Sequence, residues 1–235
     1  MSRYEIGSHV VSVEVRGDVL PPTPYSIFLA EHITEMSGAT AVDVGSGSGI
    51  LAIVARLQGA DQVFVLDINP EAIDVTMENA ERNGITSGLI PLPAGELMLP
   101  LPAGAAIDAV ICNPAQLPMP EPLDPATDPF YAGRDGRSMI DAVVRETPQW
   151  LVSGGMLLMT HNSMADLPKT FELMTSVGLR PRVVAQESLA FRPFIDRDWL
   201  DELGGVERGL YAVHDGTAYE TLSVVEARAD LDVPR

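Results

Sequence analysis

The feature that most constrains this chain is the run Asp43-Val44-Gly45-Ser46-Gly47-Ser48-Gly49, set between the apolar segment AVDV (41–44) and the apolar run ILAIVARL (50–57). Glycines at alternate positions let a backbone turn sharply from strand to helix and let a ligand approach it closely. The helix start adds N–H groups that have no partner within the helix. Such a turn belongs to chains that alternate strands with covering helices, and the flanking sequence has that alternation. QVFVL (62–66) and DAVIC (108–112) read as buried parallel strands, LIPL (89–92) as a weaker one and GGMLLMTH (154–161) as another. Between them, Asn69-Pro70 opens a helix that Gly84 ends, with Ile73, Met77 and Ala80 as its apolar stripe. Ser138 opens a second, with Ile140, Val143, Val144 and Thr147 on one face, and Asp166 caps a third that carries Leu167, Phe171 and Met174.

The ends decorate this centre. VVSVEVRGDVL (10–20) alternates apolar and polar residues around Arg16-Gly17-Asp18, which predicts a small strand or hairpin. Thr23-Pro24 reads as a helix cap followed by proline at the first helical position, with the helix running to Gly38. In YAVHDGTAYETLSVVEAR, Asp215-Gly216 separates two alternating runs, the signal of an antiparallel hairpin at one edge of the sheet. No repeat or flexible linker divides the chain.

Composition narrows the partners. Fifteen Lys and Arg against 33 Asp and Glu give a net charge of −18, and Lys169 is the single lysine, so a phosphate backbone is an unsuitable partner and no nucleic acid is expected. One cysteine, Cys112, forms no internal disulfide, and no apolar run reaches membrane-spanning length. With no secretory leader pattern, the expected location is the cytoplasm, without membrane association. His9, His32 and His214 lack the spacing of a metal site, and no metal is expected.

The glycine spacing separates two nucleotide-binding patterns. A dinucleotide fingerprint starting at Gly45 needs glycine at position 50, where Ile50 stands, which disfavours a nicotinamide oxidoreductase. The order acid-x-Gly-x-Gly-x-Gly at a strand end is instead similar to the S-adenosylmethionine site of Rossmann-like methyltransferases. Asp67 ends the next strand 22 residues after Gly45, where a carboxylate can accept both ribose hydroxyls. Asp43 either orients the loop or takes the methionine amino group.

Asn113-Pro114 directly after DAVIC completes a set that resembles the release-factor glutamine methyltransferases, within the amino-methyltransferases that carry an Asn-Pro-Pro-Tyr motif. VDVGSGSGILAI, Asp67, GELMLPL (95–101), VLPPTPYSIFLAE (19–31), the GRDG loop (133–136) and LVSGGMLLMTH (151–161) match in order, over about residues 17–185. The resemblance implies a Rossmann-like class I methyltransferase sheet, α/β and mostly parallel with an antiparallel edge hairpin. It implies one domain over 1–235: strand and entry helix in 1–38, Rossmann-like core in 39–187, insertion and edge hairpin in 188–235. S-adenosylmethionine is then the cofactor, held by Asp43, Gly45, Gly47, Gly49, Asp67, Ile68, Glu96 and Asn113. Asn113 and Pro114 are the catalytic pair, whose carbonyls accept the two N–H bonds of the acceptor nitrogen and aim its lone pair at the methyl group.

Departures bear on the acceptor. Ala115 and Gln116 stand at the third and fourth motif positions, Tyr25, Ser26 and Ile27 replace Asp, Thr and Glu in the entry helix, and no helical docking domain precedes the catalytic part. Residues 188–209 are extra, and an insertion there can cover the acceptor site; Trp199, Phe191 and Phe194 either line a pocket or form its own small core. Tyr25, Gln116 and His161 are therefore candidate acceptor contacts, with His161 also readable as a structural histidine and Gln116 as reading a polar group on the substrate. Arg134 and Arg137 either hold an acidic substrate or pair with this acidic chain. The expected function is methyl transfer to a small nitrogen-containing or aromatic metabolite. The alternatives are N5-methylation of a protein glutamine and a cofactor-binding module without turnover.

Overall fold

In the computed structural model, residues 1–121 and 130–229 are described. The middle of the proline-rich loop and the last six residues of the terminal segment lie outside them. The chain runs β1 (Ser2–Ile6), β2 (His9–Val13), α1 (Pro24–Glu31), β3 (Thr40–Val44), α2 (Ile50–Leu57), β4 (Gln62–Leu66), α3 (Pro70–Arg82), β5 (Leu89–Pro91) and β6 (Ile107–Cys112). It continues with α4 (Ser138–Glu146), β7 (Leu151–Asn162), α5 (Leu167–Ser176), β8 (Leu179–Ala190), α6 (Arg197–Glu202), β9 (Ala212–His214) and β10 (Thr217–Ala229). The main sheet has the order β5-β4-β3-β6-β7-β10-β8, with β9 folded onto β10. The first five strands in that order pair in parallel, and β10 is antiparallel to both β7 and β8.

Strands in the middle of such a sheet are covered on both faces, which is why β3 buries Ala41, Val42, Asp43 and Val44 in succession. One face packs on α1, α2 and α3 through Leu29, Ile53, Ile73 and Ala80. The other packs on α4 and α5 through Ile140, Val143, Val144 and Met174. Each fully buried aliphatic side chain contributes roughly 1.5–3 kcal/mol, so these two interfaces hold the layers together. Among the described residues no helix is long and apolar enough to cross a membrane.

Two expectations change and a third holds. β2 covers the alternating run, but its hairpin partner is the upstream β1, and Arg16–Val19 is only a turn leading to α1. The helix opened by Thr23 stops at Glu31 rather than near Gly38. His32 turns its Nδ1 back to the Phe28 carbonyl at 2.7 Å, and Ile33 and Met36 then leave the helix to plug the core below β3. The Asp215-Gly216 hairpin joins β9 and β10 among antiparallel strands at one edge of the sheet, as expected, with β10 inserted between β7 and β8. The alternation of β10 records two faces, and strand neighbours are set by pairing that no local pattern encodes.

Candidate cofactor and acceptor site

The glycine loop lies at the carboxyl end of β3, and α3 fixes it from behind. Thr76 Oγ1 donates to the Gly47 carbonyl at 3.3 Å, and the buried Asn79 amide donates to the Ser48 carbonyl at 2.9 Å. With those carbonyls drawn back, the other side of the loop is bare. A Cβ built on Gly45 meets nothing within 4 Å, and one on Gly47 meets only the Gly45 carbonyl at 4.0 Å. Gly49 differs: a Cβ there would lie 2.9 Å from the Cα of Thr76, so its job is the close approach of α2 to α3.

Asp67 stands where the loop needs an acid. Its carboxylate accepts the Gly47 N–H and the Asn69 N–H, both at 2.9 Å, which fixes its orientation while leaving further lone pairs. Ile68 beside it is 71% exposed, and the loop after β5 is tied down by Gly95 N–H to the Asp67 carbonyl at 3.2 Å, presenting Glu96 to solvent. Asp43 is wholly buried. One oxygen accepts the Ala52 N–H at 3.0 Å and so caps α2; among the described residues the other has no partner, nor has the buried Ser46 hydroxyl. Burial pushes the Asp43 carboxyl up to about 7, with the Asp67 charge acting in the same direction.

The second half of the site is built across three strands. Val44 pairs with Cys112 and Cys112 with Met159, so register brings Gly45, Asn113 and Thr160 to one level at the carboxyl edge. Thr160 donates to the Asn113 side-chain carbonyl at 2.6 Å. Gln116, 5% exposed, gives its amide N–H groups to Thr160 Oγ1 at 2.9 Å and the Pro114 carbonyl at 3.2 Å, and its carbonyl accepts the Asn162 N–H at 2.7 Å. Gln116, expected to read a polar group on the substrate, has its amide bonded within the protein, where it braces the motif.

Tyr25 is buried against this brace, its hydroxyl donating to Glu220 at the start of β10. His161 points to the other face of the sheet, where Nε2 meets Thr170 of α5 at 2.8 Å. Burial first, then the Arg137 charge, lowers its pKa to about 3, so the ring is neutral and structural. Arg137 is equally internal, bonded to the Ala165 and Asp166 carbonyls, Thr170 and Asp141. Arg134 is exposed and stacks on Trp199 at 4.3 Å. Residues 188–209 contain the end of β8 and α6. Through Ile195 and Leu200 they share a small core with Leu117, Met164, Leu210 and Tyr211, next to the Asn-Pro segment. Sequence reasoning missed Thr76, Asn79, Asn162, Arg192 and Glu220, which carry no local motif, and gave no role to Ser46 and Thr160, although both lie inside motifs that it quoted.

Known proteins bear on this geometry. Residues 21–118 match the family model of ribosomal protein L11 methyltransferase. A candidate protein N5-glutamine methyltransferase of Methanocaldococcus jannaschii is 24% identical over 186 residues, 77% of this chain and 91% of that protein. The ribosomal protein L11 methyltransferase of Vibrio campbellii is 43% identical over 81 residues, 34% of this chain, and the chain spans only a quarter of that relative. Among solved structures, a chain of the E. cuniculi Mtq2–Trm112 complex, described as methylating the eRF1 translation termination factor, superposes with TM-score 0.60 at 18% identity. That match covers 91% of this chain and all of the other. The L11 methylase of Lactobacillus delbrueckii superposes with TM-score 0.53 over 86% of this chain and 77% of its own.

The chain is an S-adenosylmethionine-dependent methyltransferase. Its sheet is the class I methyltransferase fold, mostly parallel with antiparallel strands beyond β7. The methyltransferase's residues fit the cofactor: the bare Gly45–Gly47 backbone is a cradle that side chains would fill, and the unpaired Asp43 and Ser46 oxygens are buried polar atoms awaiting a partner. When bound, S-adenosylmethionine supplies an electrophilic methyl group on sulfur.

Proposed function

We propose that this methyltransferase modifies the side-chain amide nitrogen of a protein glutamine, with a translation termination factor as the acceptor. The observation that carries this reading is the pair of carbonyl acceptors, Asn113 Oδ1 and the Pro114 carbonyl, beside the glycine loop and held by one buried bond network. An amide nitrogen is a weak nucleophile because its lone pair is delocalised. The protein's task is to hold both N–H bonds, exclude water and keep the nitrogen face turned toward the methyl donor. Asn113 and Pro114 supply the two acceptors, and the Thr160 hydroxyl prevents the Asn113 amide from flipping its NH2 toward the acceptor. One amide proton is lost in the reaction and leaves from this hydrogen-bonded pair to solvent. Asp67 and the glycine loop, with Asp43, Ile68 and Glu96 around them, hold the cofactor.

The metabolite reading rests on Gln116 and on residues 188–209. Gln116 is occupied internally. The M. jannaschii relative, named for protein glutamine methylation, aligns over 91% of its own length, which supports the protein reading. The assay is methylation of purified translation termination factors with isotopically labelled S-adenosylmethionine, the product mapped by mass spectrometry. Label on a glutamine side chain is expected; label confined to lysine, a terminal amine or a small metabolite overturns the reading.

A further inference from the structure

Beside Asn113 and Pro114 lies a cluster of buried polar groups that the methyl-transfer geometry leaves unused. Glu220 is 1% exposed; one carboxyl oxygen takes the Tyr25 hydroxyl and the other, Oε1, has no partner among the described residues. Asn162, 2% exposed, bonds to Gln116 through its main-chain and side-chain N–H groups, and its Oδ1 has no partner among the described residues. Arg192, from the segment after β8, sets its guanidinium 5.0 Å from the Tyr25 ring centre and 4.6 Å from that of Phe194, and its buried Nε has no partner among the described residues. Asn162 follows Thr160 by two residues on the same strand, so it faces the same side, about 7 Å further along. The cluster is thus continuous with the group that holds Asn113.

Buried polar atoms are mostly hydrogen-bonded in folded proteins, and the bonding of these three can be completed by a ligand. Their signs define that ligand. An ammonium group would satisfy Glu220 and be repelled by Arg192; a carboxylate would do the reverse. A neutral group with an N–H donor close to a carbonyl satisfies both, and a polypeptide main chain is such a group. The arginine is suited to the task, since stacking between two rings orients its planar fork before anything binds.

We propose that Glu220 and Arg192 form an acceptor-binding subsite, in which Glu220 Oε1 accepts a main-chain N–H, and Arg192 Nε donates to a main-chain carbonyl, of the segment flanking the methylated glutamine. The assignment rests on the protein-glutamine reading above, and it makes residues 188–209 part of the acceptor site through Arg192.

Kinetics with a purified translation termination factor test it, using wild type, Glu220→Gln and Arg192→Met. Glu220→Gln keeps a carbonyl for Tyr25 and replaces the free oxygen by an NH2 group, while Arg192→Met keeps the stem and removes the donor. In each variant the acceptor KM is expected to rise about tenfold or more, with kcat reduced less than about threefold and S-adenosylhomocysteine affinity within about twofold of wild type. Wild-type acceptor KM in both variants overturns the subsite while the glutamine reading stands. A wild-type enzyme that methylates no protein glutamine overturns both. Should Glu220→Gln melt early, the half-buried Arg192→Met decides alone.

Discussion

The Thr160 hydroxyl donates to the Asn113 side-chain carbonyl at 2.6 Å, joining the ends of two neighbouring parallel strands. This bond decides which end of the Asn113 amide is the acceptor. Losing it costs orientation and leaves the cofactor cradle untouched. Thr160→Val is therefore expected to reduce turnover about tenfold with cofactor affinity within about twofold, and Thr160→Ser to restore most of it. Asn113→Ala, which removes the acceptor itself, is expected to lower turnover about a hundredfold or more, again with nearly unchanged affinity. Calorimetric affinity for S-adenosylhomocysteine alongside single-turnover rates checks both; loss of binding in either variant would contradict the placement.

Gly47 and Gly49 are two residues apart and should fail differently. A side chain on Gly47 enters open space at the cradle, so Gly47→Val, besides the backbone strain of a β-branched residue at φ +49°, is expected to weaken S-adenosylhomocysteine binding about ten- to hundredfold, as is the unstrained Asp67→Ala. A methyl on Gly49 runs into the backbone of Thr76, so Gly49→Ala is expected to lower the melting temperature before it alters the site. Thermal denaturation and calorimetry on the same samples separate the two.

Asp43 predicts a pH dependence. Its carboxyl is raised by burial from 3.8 to about 7, so between those values the folded protein keeps a proton that the unfolded chain has released. Stability from this group is accordingly present below about pH 4 and lost as pH rises toward 7, at about 1.4 kcal/mol per pH unit. Asp43→Asn should remove that slope. If the cofactor's amino group meets the free oxygen, binding favours the carboxylate and releases a proton below pH 7. Binding enthalpies measured in buffers of different ionisation heat read that proton directly.

Gln116 tests the brace. Gln116→Leu orphans the Asn162 N–H and strips bonds from Thr160 and Pro114 in a buried setting, at about 1–3 kcal/mol for each polar group left unsatisfied. Denaturant titration is expected to show a loss of at least about 2 kcal/mol. Gln116→Tyr, which restores the family's aromatic residue without these bonds, should also slow the reaction; unchanged stability and rate would show that the brace is dispensable.

Much of this architecture is legible in the chain because its signals are local. The strand–glycine–helix turn, the Asn69 and Asp166 caps and the Thr23-Pro24 entry each act within four or five residues, and the structure has them all. The cofactor half of the site shares this property, since Asp43, Gly45, Gly47 and Asp67 sit at strand ends and inside turns that composition dictates. What escaped was non-local. Nothing near β10 tells that it slips between β7 and β8, because strand neighbours are chosen by total burial across the sheet. Tyr25 and Glu220 are 195 positions apart and meet only once that choice is made. The amino-acid sequence by itself determined the cradle and the Asn113-Pro114 pair, through conformational preferences acting over a few residues. The tertiary structure alone decided what surrounds the acceptor. Gln116, Thr160, Asn162, Arg192 and Glu220 acquire their partners from strand register and buried hydrogen-bond satisfaction, which are properties of the assembled core.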